Sequence, residues 1–346
     1  MAVAAPQTLA GPSIETLEAM LDVTYTWGYQ DTREKLRDLY DKAVRAQWIS
    51  DDVLPWQTDV DLEKQMAPEA MMPLFGSDIW NKMTEKERKT VNIETFSWTL
   101  SQFMHGEQGA LLATAQLVPS VHDLDSKLYA ASQVVDEARH VDVFNRYTHS
   151  KIGFSYPVNP HLKTLLDLIL KDSRWDMKFL GMQIMVEGLA LAAFGLIRSQ
   201  TQEPLLKELT TYVIGDEARH VAFGILSLRD YYREQPESMK REREDFVFEA
   251  ARLMRDRFLF QEVWEKTGLP VKQCMEIALN NQAQVMFRQM LFAKIVPAIK
   301  KMDLLSDRQR QRFAELGILQ FENWADPFAD HENASPKGAV SARFAT

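Results

Sequence analysis

The stretch Asp136-Glu137-Ala138-Arg139-His140 recurs unchanged as Asp216-Glu217-Ala218-Arg219-His220. Both copies sit in segments whose apolar residues return every three to four positions, the mark of an amphipathic helix. Residues three apart on a helix face the same way, so each copy presents a Glu and a His together. Glu107 precedes Glu137 by 30 residues, and Glu187 precedes Glu217 by the same number. A turn signal divides each pair, VPSVHD at 118–123 and SQTQEP at 199–204. At about 1.5 Å per residue, both acids of a pair stand roughly 20 Å from their turn and meet across it. The region is a helical hairpin present twice, offset by 80 residues.

In each of the four helices a carboxylate occupies a position where the stripe calls for an apolar residue: Glu107, Glu137, Glu187 and Glu217. An ionised carboxylate costs several kcal/mol to bury unless it is paired or metal-bound. Four carboxylates with His140 and His220 match a carboxylate-bridged di-iron or di-manganese centre, one Glu from each of two helices and Glu-x-x-His from each of the others. Two divalent ions cancel four carboxylate charges, which removes the cost of burial. Oxygen ligands with one His per metal favour Fe or Mn over Zn or Cu.

The 346 residues are 46% hydrophobic and 26% charged, a globular balance. Glycine is scarce, at 14, and no period-two strand pattern stands out, so the fold class is all-α. The net charge of −9, with no Lys/Arg block free of acids, excludes nucleic acid as the expected partner. The single cysteine, Cys274, excludes an internal disulfide and suits a reducing cytoplasm. The N-terminus has no basic-then-apolar leader pattern, and no uninterrupted apolar run approaches the roughly 20 residues of a membrane span.

Residues 1–13 and 325–346 read as flexible termini around a single helical domain, 14–324, whose metal-binding bundle covers about 94–232. Segments 14–27 and 32–47 read as covering helices and 51–76 as an irregular connection. The link at 151–174 suits a crossover that sets the second hairpin beside the first in the same sense. Residues 231–245 read as a mixed, solvated run. Beyond it, 246–267, 272–300 and 306–321 read as helices that flank the bundle or form a homodimer surface. His105 is expected on a different face from Glu107.

With these residues the chain resembles the ferritin-like di-iron carboxylate superfamily. It is most similar to the oxygen-activating branch: hydroxylase subunits of bacterial multicomponent monooxygenases, the small subunit of ribonucleotide reductase, and the arylamine N-oxygenases. The resemblance implies a ferritin-like four-helix bundle with flanking helices, two iron ions or a Mn/Fe pair, and O2 as co-substrate. It further implies that Asp136 and Asp216 accept hydrogen bonds from the histidines, across the site, and that Arg139 and Arg219 neutralise those aspartates. A solvated face is the alternative for the two arginines.

Three positions depart from the relatives. Phe144 stands seven residues past Glu137, where ribonucleotide reductase relatives carry a radical tyrosine. Leu191 stands where multicomponent monooxygenases carry a threonine, and Val213 where arylamine N-oxygenases have an extra His ligand.

The repeats also differ from each other: Phe144 corresponds to Gly224, Thr114 to Phe194 and Phe103 to Gln183. A symmetric iron store has no need of such differences, whereas a one-sided substrate cavity does. Phe103, Leu111, Phe144, Leu191, Phe194 and Gly224 form the candidate wall, with plain core packing as the alternative. The expected protein is a non-haem di-metal enzyme that uses O2 to oxygenate or oxidise a small organic substrate in an apolar cavity. No flavin, nicotinamide or iron–sulfur motif is present, so electrons are expected from a separate reductase, a ferredoxin or the substrate. The rival readings are a ferroxidase or metal buffer, and a radical-generating subunit of a larger complex.

Overall fold

Thr84 accepts a hydrogen bond from the Glu87 amide while Glu87 reaches back to Thr84, a capping box that starts the first bundle helix, Glu85–Ser120. Asp123 caps the second, Leu124–Tyr147, through the Ser126 amide. The third runs Trp175–Gln200. Glu203 caps the fourth, Pro204–Arg233, which has proline in its first turn. This is a computed structural model; it describes residues 14–324 except 31, 32, 63, 65 and 66, and no strand occurs among them. The termini expected to be flexible, 1–13 and 325–346, lie outside the described residues.

The hairpin turns lie at opposite poles of the bundle. Trp175 packs edge-on against His122 at the first turn, with ring centroids 5.7 Å apart. At the other pole the Tyr147 hydroxyl donates to Glu203, beside the second turn, at 2.8 Å. The link between hairpins, which includes the helix Pro160–Lys171, therefore carries the chain along the whole bundle. The second and third helices run parallel, and the repeats face each other in opposite senses, which corrects the expected arrangement. The fold is a ferritin-like bundle with one long crossover.

The third helix is not regular. Leu180–Val186 is π-helical and ends immediately before Glu187; π segments widen a helix locally and recur at functional sites. Gly224 makes room for it, because a Cβ there would lie 2.8 Å from Gln183 Cβ and 3.0 Å from Ile184 Cδ1. By length and mean hydropathy the same helix could cross a membrane, though Glu187 interrupts its apolar run and 67% of its most apolar window is buried inside the fold. A helix surrounded by others needs apolar residues on every side.

Other expectations also give way. Segment 14–27 forms no helix. It lies across the first turn, with the Thr24 amide donating to Pro119 O at 2.8 Å and Thr26 Oγ1 to His122 O at 2.6 Å. Its Met20, Tyr25 and Trp27 stay exposed, so its apolar period has no core to bury against. The next segment does form a helix, Glu34–Arg45, which buries Leu36, Leu39 and Ala43. Residues 231–245 are not a solvated run. The helix Glu237–Asp256 begins there, and its Arg243 is buried against Asp176 at 3.0 Å. The flanking helices are shorter than expected: 246–267 breaks at Arg257–Leu259 and at Phe260, whose φ is +56°. The 272–300 segment divides into Val271–Asn280, Gln282–Met290 and Ile295–Lys301.

Candidate metal centre

All six expected residues converge at mid-bundle, each 5% exposed or less. Possible ligand atoms of Glu107, Glu137, His140 and Glu217 lie within 4.8 Å of one another, and so do those of Glu137, Glu187 and His220. Each histidine turns Nδ1 toward three carboxylates. His140 Nδ1 lies 3.2 Å from Glu217, 3.3 Å from Glu107 and 3.6 Å from Glu137. His220 Nδ1 lies 3.1 Å from Glu137 and 3.8 Å from both Glu187 and Glu217. The carboxylate nearest each imidazole thus comes from the other repeat, not from its own Glu-x-x-His pair. Glu137 and Glu217 each approach both histidines and would be available to both cations.

The opposite ring nitrogens are held by aspartates, again from the other repeat: His140 Nε2 lies 3.1 Å from Asp216 and His220 Nε2 3.3 Å from Asp136. A carboxylate can only accept there, so each Nε2 carries a proton, which leaves Nδ1 as the nitrogen that would face a metal once its own proton is displaced. Arg139 donates to Asp136 at 2.5 Å and to Asp216 at 3.1 Å. Arg219, also buried, pairs with Asp216.

The donor set fits two cations. Glu137 Oε2, Glu187 Oε2, both Glu217 oxygens and His220 Nδ1 are buried with no hydrogen-bond partner. Such groups are costly to leave orphaned, and here they lie within reach of one another, where two cations between them would satisfy them. Without metal, protons take that part. Burial and the Glu217 charge push Glu107 well above the usual carboxylate range. Burial and the Glu137 charge do the same to Glu187. Burial opposes charge on His140, but its hydrogen bonds to Asp216 and Glu107 hold it well above its ordinary value. Burial is likewise outweighed at His220, chiefly by the Glu137 charge. Glu137 goes the other way: burial would raise it, but the two histidines hold it below the usual range.

Three contributors were not legible as site residues. Gln133 Nε2 donates to Glu137 at 3.0 Å and to Glu187 at 2.9 Å, tying the second helix to the third; its signal was an amide on an apolar stripe one turn before Glu137. Trp48 Nε1 donates to Asp216 at 2.8 Å, with Arg139 stacked 4.5 Å over its ring. Gln47 donates to Asp136 at 2.7 Å and accepts from Arg139 at 2.8 Å. No sequence signal connects 47 and 48 to the motifs.

The expected cavity wall comes together only in part. Phe103, Phe144 and Phe194 meet ring to ring, with centroids 4.7 Å (Phe103–Phe194), 5.4 Å (Phe144–Phe194) and 6.2 Å (Phe103–Phe144) apart. Leu191 is buried, Leu111 is half-buried outside that cluster, and Gly224 belongs to the contact with the π segment. The repeat counterparts of the three phenylalanines, Gln183, Thr114 and Gly224, also form one cluster, with Gln183 Nε2 3.3 Å from Thr114 Oγ1. The metal centre therefore has one aromatic side and one small, polar side. His105 is satisfied elsewhere, 2.8 Å from Tyr156 O.

Four helices, a crossover, and buried carboxylates with two histidines define a ferritin-like di-metal carboxylate oxidoreductase. Within that class the chain belongs to the p-aminobenzoate N-oxygenase AurF family, whose model matches residues 29–303. Among solved structures it is similar to a variant of an R2-like ligand-binding oxidase with an anaerobically reconstituted Mn/Fe cofactor. The TM-score is 0.50 at 18% identity, covering 82% of this chain and 99% of that one. A second variant of that oxidase gives a TM-score of 0.49 at 18% identity, with 82% and 99% covered. At 18% identity the first of these likenesses speaks for the fold alone. Comparison with curated proteins finds no match.

Proposed function

We propose that this enzyme N-oxygenates a small aromatic amine with O2, at two metal ions held by Glu107, Glu137, His140, Glu187, Glu217 and His220. The observation that carries the reading is the set of orphaned carboxylate oxygens and inward-facing Nδ1 atoms, in a chain of the N-oxygenase family. Two iron ions, or a manganese and an iron, would supply the electron storage and O2 cleavage. An amine, O2, two electrons and two protons give a hydroxylamine and water: one N–O bond forms and the O–O bond breaks. The two electrons come from a separate reductase or ferredoxin.

The chain's own residues set the geometry. Asp136 and Asp216 lock each imidazole with Nδ1 inward, and Gln133 fixes the spacing of Glu137 and Glu187. Phe103, Phe144, Phe194 and Leu191 keep water from the aromatic side. Val213, fully buried one turn before Glu217, puts an apolar group where family relatives carry a further His. The centre would thereby have six protein ligands.

Phe144 counts against a radical-generating subunit, since that position has no phenol to oxidise. The two unlike sides of the centre count against a ferroxidase or metal buffer, which has no use for them. Buried Cys274 fits a reducing cytoplasm. Exposed Leu279 and Met286 on the flanking helices fit a homodimer face, which sedimentation at twice the chain mass tests. For the function itself, the reduced metal-loaded enzyme is mixed with O2 and p-aminobenzoate or aniline. Hydroxylamine formed in step with O2 uptake supports the reading, and O2 uptake without oxidised amine defeats it.

A further inference from the structure

The aromatic side of the metal centre leads, one helical turn further out, to a recess at the second-turn pole. Phe96 and Thr99 of the first helix line it, and Phe103 follows Thr99 by four residues. Ile197 of the third helix and Thr201 just past its end line it as well, three and seven residues past Phe194. Both walls therefore continue along helix faces that carry Phe103 and Phe194 and then Glu107 and Glu187. The eight residues from Thr99 to Glu107 span about 12 Å. The remaining wall comes from outside the bundle: Met71 and Met72 from the irregular connection, Phe260 and Phe287 from the flanking helices.

Two features mark the recess as more than a packing defect. Thr95 Oγ1 and Gln284 Oε1, both on its lining, are buried with no hydrogen-bond partner. Gln284 has its amide committed to Met71 O at 2.6 Å, so the orphan atom is an acceptor, and the Thr95 hydroxyl also has acceptor lone pairs. Phe260, on the same lining, holds a left-handed φ of +56°. A residue with a side chain adopts that conformation at a cost on the order of 1–3 kcal/mol, and such strain gathers where a ligand is clamped. The cavity, about 90 Å³, is smaller than the ~150 Å³ that accepts benzene. A ring enters only as the flexible Met71 and Met72 side chains give way.

We propose that this recess is the port through which the aromatic amine enters, with Thr95 and Gln284 receiving its N–H groups and Phe103, Phe144 and Phe194 forming the gate to the metals. The port rests on the functional reading above and adds to it the route and the residues that select an amine. The three rings touch one another, so the gate opens only as a ring swings aside, which a flat molecule requires less than a bulky one.

The test uses the anaerobic, metal-loaded full chain and equilibrium dialysis with aniline and with toluene, which has the same ring without a donor. Wild type binds aniline more tightly than toluene. Combined Thr95→Val and Gln284→Leu, which remove both orphan acceptors and with Gln284 its bond to Met71 O, weaken aniline roughly tenfold and bring it level with toluene; Thr95→Val alone, which breaks no side-chain hydrogen bond, already lowers the preference for aniline over toluene. Separately, Phe194→Leu raises kcat/KM for 2-naphthylamine relative to aniline about tenfold, a ratio that a general loss of stability does not move. An aniline preference within twofold of wild type in the double variant overturns the port. An unchanged naphthylamine-to-aniline ratio in Phe194→Leu overturns the gate. Wild-type enzyme that binds aniline in dialysis yet never oxidises an aromatic amine defeats the functional reading, and the entry role falls with it.

Discussion

Asp216 gathers four donors: His140 Nε2 at 3.1 Å, Trp48 Nε1 at 2.8 Å, Arg139 at 3.1 Å, and Arg219. Its charge makes the His140 imidazole a better ligand and fixes which nitrogen faces the metals. Asp216→Asn keeps the shape and loses the charge; metal affinity falls about 10- to 100-fold, read by competition with a chelator. Proton displacement gives a second prediction. In the metal-free protein His140, His220, Glu107 and Glu187 are all held above their ordinary values, so at neutral pH the site carries protons that metal must expel. Uptake therefore releases protons, and apparent affinity rises from roughly pH 6 to 8; affinity flat over that range, by calorimetry in two buffers, contradicts the assignment. At this scale the six central residues were legible because a repeat placed them, and buried charge is conspicuous on an apolar stripe. Trp48 was not, because it meets Asp216 across 168 positions of sequence and a lone tryptophan near a helix end is ordinary.

The element that distinguishes this bundle is the π segment Leu180–Val186. Its contact with Gly224 admits no Cβ, so Gly224→Ala forces helices apart or shifts Gln183, with a cost of about 1–3 kcal/mol. Thermal unfolding checks this; an unchanged Tm means that the contact yields freely. The sequence could not reveal the π turn, since 3.6 periodicity continues across it, and Gly224 was read as cavity wall for want of that partner. Segment 14–27 failed for a related reason: period reports amphipathicity, not whether a core face is free to receive it. The direction of the second hairpin was equally hidden, because the link length allows a return to either pole.

For the whole molecule, binding of two cations to a centre rich in orphaned oxygens adds directly to the stability of the folded state. At 100 times Kd each ion contributes about 2.7 kcal/mol, so removal of metal by a chelator lowers Tm by several degrees, and Fe(II) added without O2 restores it. A Tm indifferent to chelation would mean that the carboxylates are balanced by something other than metal. The added helices and the 51–76 connection, which a bare four-helix bundle lacks, build one wall of the recess beside the aromatic side of the centre. The most direct test of the account is one turnover of the reduced, metal-loaded enzyme with ¹⁸O₂ and an aromatic amine, followed by mass spectrometry of the product. The account predicts one ¹⁸O atom bound to nitrogen in the hydroxylamine; amine recovered unoxidised, or product oxygen drawn from water, contradicts it.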